Sequence, residues 1–254
     1  MSWAARRRFI ISLIIGAVIV AFLVTVLIAT FYKTPSCTDG VANGDETGID
    51  CGGSCTYLCT EQMQSPTVLF TKAFENGAGR TDIIASVENK NLHAAAKDVP
   101  YNITFYGANQ LLIQEVTGTL DLPPGATAPI YVSGVTAGKQ KVVNAFLDIA
   151  SSSPRWFTFV PDTRIVPIVS NMTQGGTSDE PRVEATLTNP SVTVLTNVQV
   201  VVFVRSENKD IIAASKTIVP FIPAQGQATA TFTWNSAFLR PVASIEVVPI
   251  IPLP

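Results

Sequence analysis

The sequence predicts an all-β protein: two tandem immunoglobulin-like β-sandwich domains behind an N-terminal transmembrane helix and a small disulfide-rich loop segment. Three observations predict it. One long uncharged apolar run lies at the N-terminus, all four cysteines fall together just after it, and the rest alternates in short apolar/polar runs divided by Asn, Gly and Pro. Alternation of period two is the signature of half-buried strands. The 254 residues are 47% hydrophobic and 14% charged, too apolar and too poorly charged for a disordered chain. With 17 basic residues against 19 acidic ones and no basic stripe, nucleic acid is excluded as a partner.

The first element is the membrane span, read over residues 9–32 behind a short cytoplasmic N-terminus of residues 1–8. No side chain from Phe9 to Tyr32 is charged, and a helix of that length crosses a hydrocarbon core of about 30 Å. A cleaved signal has a shorter apolar region and ends in a small-x-small site, whereas this run closes on Ala29-Thr30-Phe31-Tyr32. A lipoprotein signal does not fit either, because Lys33-Thr34-Pro35-Ser36 before Cys37 is polar. Arg6, Arg7 and Arg8 precede the span and only Lys33 directly follows it. That asymmetry keeps the N-terminus in the cytoplasm and exports everything beyond. The expected location is thus a cell membrane, single-pass, with the bilayer held by residues 9–32. Phe31 and Tyr32 are the expected interfacial anchors outside, and Trp3 inside.

Residues 33–64 form the second element. Cys37, Cys51, Cys55 and Cys59 lie in a short Gly/Asp-rich stretch. An even number of cysteines on the oxidising side of a membrane reads as two disulfides, and the spacing leaves all three pairings open. A zinc–thiolate site is the competing reading, and it suits reducing compartments better. Asp39, Asn43, Asp45, Glu46 and Asp50 place oxygen atoms at close intervals among glycines, which a calcium loop requires. Their register is not that of an EF-hand, and Asp, Asn and Gly also serve simply as turn formers. The sequence implies no cofactor, a structural calcium here apart.

The run Cys37-Thr38-Asp39-Gly40, continued by Asn43-Gly44-Asp45-Glu46-Thr47-Gly48-Ile49-Asp50-Cys51-Gly52-Gly53-Ser54-Cys55, resembles a motif of secreted and surface-anchored bacterial proteins, C-x-D-G-x-x-N-x-x-E-T-x-x-D-C-G-G-x-C. The resemblance implies location rather than activity.

Two sandwiches are expected over residues 65–160 and 161–254. Ile83-Ile84-Ala85-Ser86-Val87-Glu88-Asn89 matches Val183-Glu184-Ala185-Thr186-Leu187-Thr188-Asn189 one hundred residues on. Ile83, Ala85 and Val87 share one face of a strand, as do Val183, Ala185 and Leu187. Val99, Tyr101, Ile103 and Phe105 then alternate in step with Val198, Val200, Val202 and Val204. Leu122-Pro123-Pro124-Gly125 and Ile222-Pro223-Ala224-Gln225-Gly226 each introduce a further strand. Several matches in one order read as an internal repeat, with six or seven strands per copy. The shared arrangement V-x-N … N-V-x-V-x-V-x-V … I-P-x-x-x-G resembles FxLyD-type and related Ig-like modules of bacterial envelope proteins, which implies the fold.

No catalytic residue is assigned. The chain lacks a G-x-S-x-G elbow, an H-E-x-x-H pair, a Walker loop and a dinucleotide fingerprint. Its one histidine, His93, falls in a polar connection, and Asp179-Glu180 in a Gly/Ser loop. The expected function is a non-enzymatic envelope protein whose sandwiches bind or position an envelope or surface protein partner. A pilus-like fibre subunit, or an accessory subunit of an envelope transport complex, is the alternative.

Overall fold

The computed structural model describes residues 3–31, 34–75, 80–136 and 141–254. Tyr32 and Lys33, expected at the outer membrane face, lie outside the described residues. The chain divides into two units, Met1–Cys55 and Thr56–Pro254.

The first unit begins with helix α1 (Trp3–Phe31). Its segment Arg6–Phe31 is long and apolar enough to cross a membrane. Side chains from 6 to 31 are exposed all round, which suits a helix solvated by lipid rather than a core helix with one apolar stripe. Its two threonines need not leave hydroxyls unpaired: Thr25 and Thr30 donate to the carbonyls of Ala21 and Val26, one turn back.

The described residues of the second unit form thirteen strands. In its first half β1 (Thr67–Glu75), β2 (Arg80–Glu88) and β5 (Thr127–Thr136) form one antiparallel sheet in the order β1-β2-β5. β3 (Ala94–Tyr106), β4 (Leu112–Leu122), β6 (Asn144–Asp148) and β7 (Trp156–Thr158) form the other, ordered β4-β3-β6 with β7 also on β3. In its second half β8 (Ile168–Gly176), β9 (Pro181–Thr188) and β12 (Gln227–Thr233) pair as β12-β9-β8. β10 (Leu195–Arg205), β11 (Ile211–Ile222) and β13 (Ser244–Ile250) pair as β11-β10-β13. The two halves therefore share one strand order, and each closes its own core. Ile83, Val87, Ile103, Phe105 and Trp156 pack in the first core, and Val183, Leu187, Val200, Val202 and Phe232 in the second. Each expected inward row, Ile83/Ala85/Val87 and Val183/Ala185/Leu187, is buried.

The matched asparagines have a physical role. Asn89 is 1% and Asn189 0% exposed, and a buried amide must find partners. Asn89 Nδ2 donates to the carbonyls of Ala94 (2.8 Å), Leu122 (3.3 Å) and Pro123 (2.8 Å), while Oδ1 accepts from Asn91 N (3.0 Å). Asn189 Nδ2 donates to Thr193 (2.7 Å), Ile222 (3.4 Å) and Pro223 (3.0 Å), while Oδ1 accepts from Ser191 N (3.0 Å). Each amide thus ties the end of β2 or β9 to the start of the next strand and to the Leu-Pro or Ile-Pro corner. The two turns have the same wiring.

A third apolar cluster joins the halves. Ile84, Val201, Phe203, Ile211 and Ala214 are buried together, with Phe70, Phe74, Tyr131, Val248 and Ile250 packed around them. These residues point outward from their own sandwiches, so the outer face of β1-β2-β5 lies on the outer face of β11-β10-β13. The Phe70 and Phe203 rings meet edge to face at 6.2 Å. Four sheets therefore stand in series with three apolar layers between them. The chain end adds two ties. Leu253 N donates to Asp121 Oδ2 at 2.7 Å. Arg164 Nη1, on the connection between sandwiches, donates to the Ile251 carbonyl at 3.1 Å. The same guanidinium pairs with Asp162 at 2.7 Å and holds its carboxyl below the usual carboxylate range.

Residues ahead of Ser65 also belong to the first sandwich. Leu58 and Met63 pack against its core, Leu58 N donates to the Trp156 carbonyl at 2.8 Å, and Tyr57 bridges Phe157. Arg155 stacks on the Tyr57 ring, 3.9 Å from its centroid.

Candidate functional site

Two places gather chemistry-bearing side chains, the cysteine segment and the cleft between the sandwiches.

In the cysteine segment Cys37 and Cys55 form a disulfide, with Cα atoms 5.7 Å apart. Cys51 and Cys59 are disulfide-bonded as well, and no described cysteine is free. A disulfide sulfur is not a thiolate, so the zinc reading fails. Cys37, Cys55 and Glu46 lie close together, but the oxidised sulfurs offer a cation nothing. Closing the loop of 18 residues between Cys37 and Cys55 removes chain entropy worth about 3 kcal/mol from the unfolded segment.

The four carboxylates of the segment each accept hydrogen bonds within it, while Asn43 engages through its Nδ2 and its Oδ1 is buried without a hydrogen-bond partner. Asp50 accepts from Gly40 N through both oxygens, at 3.1 Å each. Asp39 accepts from Val41 N at 3.0 Å and from Asn43 Nδ2 at 2.9 Å. Glu46 accepts from Asn43 N at 3.3 Å, and Asp45 from Ser54 Oγ at 2.7 Å. Among the described residues, no three carboxylates bring oxygens within 4.8 Å of one another. Calcium needs six or more oxygens on one centre, and these oxygens are spread over separate backbone turns. The arrangement is a hydrogen-bonded, cross-linked loop.

The Cys51-Gly52-Gly53 run follows from the same packing. Gly52 and Gly53 sit at φ 74° and 58°, where a Cβ is strained. A Cβ on Gly53 would also collide with the Asp45 carbonyl, and one on Gly52 with the Thr47 hydroxyl. Gly53→Ala is therefore expected to prevent correct pairing of the four cysteines. Thiol titration of the purified variant checks this: free or mispaired thiols are the expected result, and four native disulfide-bonded cysteines would contradict it.

The second place is a cleft of about 790 Å³ between the sandwiches, lined by Phe74, Asp82, Tyr131, Ala214, Trp234 and Phe238 among others. Asp82 sits where β2 and β5 slip register between Thr81 and Ile83. Its carboxylate accepts from Tyr131 Oη and from Gly134 N, both at 2.8 Å. Gly134, at φ 72°, supplies the turn that aims its N–H inward. Burial first, then the hydrogen bond and charge of Asp82, push the Tyr131 phenol well above its ordinary value. The phenol therefore stays protonated and donating. Trp234 Nε1 donates to the Ala214 carbonyl at 3.2 Å, and its ring meets Phe238 at 5.0 Å. Glu75 pairs with Lys141 at 2.6 Å and Asp210 with Arg240 at 2.9 Å. Each of these groups acts on a structural partner, and among the described residues lining the cleft no nucleophile stands beside a base. His93 is exposed ahead of β3. The Asp179-Glu180 turn is closed by Glu180 N donating to Thr177 Oγ1 at 3.1 Å.

No protein-family model matches the chain, and no curated protein matches it. Among solved structures, a red sea bream transglutaminase is similar over 69% of this chain and 27% of its own, with 14% identity and a TM-score of 0.26. Likeness at that level carries neither fold nor activity across, and the residues themselves must carry the reading. Those that sequence reasoning missed are the Asp82–Tyr131–Gly134 bulge and the sheet-to-sheet junction. The junction had a sequence signal: Val200-Val201-Val202-Phe203-Val204 is apolar without alternation, as a strand buried on both faces must be.

Proposed function

We propose that the chain is a single-pass, membrane-anchored, non-enzymatic envelope protein. Its exported sandwiches, copies of one repeated module, form a stiff platform that holds an envelope partner in place. One observation carries the reading. A helix that is charge-free beyond Arg6, Arg7 and Arg8 in its first turns leads into a segment whose cysteines are oxidised, and disulfides persist on the oxidising side of a membrane. The platform property is supported by the apolar layer between sandwiches, which gives the partner-binding faces a fixed mutual geometry.

Protease treatment of intact cells or spheroplasts tests the topology. An epitope after Pro254 is expected to be digested without permeabilisation, and one before Trp3 to be protected. The reverse pattern, or protection of both, would overturn the reading.

A further inference from the structure

The common strand order gives each sheet face of one sandwich a counterpart in the other. At the junction the face of β1-β2-β5 contributes Phe70, Ile84 and Tyr131, and that of β11-β10-β13 contributes Val201, Phe203 and Ala214. The counterparts follow from register. Phe70 faces Ser86 and Tyr131 faces Ile84, as Ser170 faces Thr186 and Thr231 faces Glu184. Phe203 faces Ala214 and Val201 neighbours it, as Thr104 faces Glu115 beside Asn102. The counterparts of Phe70, Ile84, Tyr131, Val201, Phe203 and Ala214 are thus polar on the outermost faces, whereas that of Ile211 is Leu112, 52% exposed beside Tyr106.

The outer face of β4-β3-β6 departs from this pattern at one spot. Where β10 and β13 carry the Arg205–Glu246 ion pair at 3.1 Å, the matching positions of β3 and β6 carry Tyr106 and Phe146. Their rings stand 5.8 Å apart, edge to face, and Phe146 is 60% exposed. Around them the paired rows present Thr104, Glu115 and Asp148. Here an exposed ring, Phe146, and a half-buried one, Tyr106, stand beside hydrogen-bond acceptors that include two carboxylates, and none of these five positions holds a cation. Carboxylates without cations repel phosphate-bearing polymers and anionic lipid. A sugar ring has what the surface lacks: apolar C–H faces that cover exposed aromatic area, and hydroxyl donors for the flanking acceptors.

We infer that the outer face of β4-β3-β6 binds an uncharged polysaccharide, with sugar rings laid on Tyr106 and Phe146 and hydroxyls donated to Thr104, Glu115 and Asp148. The inference rests on the proposed export of the sandwiches and gives the partner a chemical class.

The test uses the full chain in lipid nanodiscs. Its electrophoretic mobility is measured in gels containing mixed-linkage β-glucan, galactomannan or dextran, and soluble cellohexaose and chitohexaose are titrated calorimetrically. Retardation by at least one polymer is expected. Phe146→Ala and Tyr106→Ala should each weaken binding about tenfold or more. Thr231→Ala, on the opposite outermost face, should leave it unchanged. An unchanged melting temperature confirms that Phe146→Ala acts through the lost ring. Absence of binding to every polymer and hexasaccharide overturns the inference, and so does binding indifferent to Phe146→Ala. Photocrosslinking at position 146 that captures a protein in place of glycan also overturns it. The protease assay separates the two proposals: if the C-terminal epitope is accessible and no polysaccharide binds, only the polysaccharide inference falls.

Discussion

Ala185→Asp is expected to unfold the second sandwich. Ala185 is 1% exposed in the centre of β9, facing Val200, Val202 and Phe232 in one core. A carboxylate there has no donor, and an unpaired buried charge costs several kcal/mol. That is comparable to the whole stability of a domain, about 5–15 kcal/mol. The neighbouring Glu184→Ala is the control. Its side chain leaves the strand on the opposite face and pairs only with Arg182, at 3.4 Å and partly exposed, so less than about 1 kcal/mol is expected. Thermal melts followed by circular dichroism compare the two variants. Native-like melting of Ala185→Asp would show that the strand phase is wrong.

The second large effect is expected from Ile84→Asp. This side chain points away from its own core and is fully buried against Val201 and Phe203. The substitution removes an apolar contact worth about 2 kcal/mol and puts a carboxylate among Val201, Phe203, Ile211 and Ala214, with Lys72, its cross-strand partner on β1, as the cation nearest in register. The sandwiches should separate while each keeps its core, since Ile83, Ala85 and Val87 on the inward face are untouched. Differential scanning calorimetry should then resolve two transitions, and limited proteolysis should cut within 159–167. One transition at the parental temperature, with the connection still resistant, would contradict the role given to this layer.

The contrast between these substitutions shows which part of the fold is legible in the chain. Alternation alone identifies Ala185 as inward, because the polar residues flanking it leave one choice of face. It says nothing of Ile84, since a residue opposite the core row faces either water or another sheet, and the choice depends on tertiary packing. The paired apolar neighbours Ile83 and Ile84, and the unbroken Val200–Val204, are the local trace of that second burial. Asn89 and Asn189 are visible in the sequence as matching positions. Their work as buried amides is not, because their acceptors, Leu122 and Pro123 or Ile222 and Pro223, lie more than thirty residues away. The cysteine segment is similar. Its composition suits a cation loop and a turn-rich loop alike, and only the structure gives the directions of the Asp39, Asp45, Glu46 and Asp50 oxygens, each to an N–H or hydroxyl within the segment. The exposed Tyr106–Phe146 pair could not be read at all. In the alternating pattern of β3, Tyr106 has the phase of a polar outward position, and only the register of β6 brings Phe146 to it.

The central claim is that the two sandwiches are one body. Its most direct test is the distance between spin labels at two exposed threonines, Thr117 on the outer face of the first sandwich and Thr229 on that of the second, in the full chain in nanodiscs. A single narrow distance distribution is predicted for the parent chain, broadening when Ile84→Asp is introduced. A broad distribution in the parent chain would mean that the sandwiches move independently, and would contradict the platform.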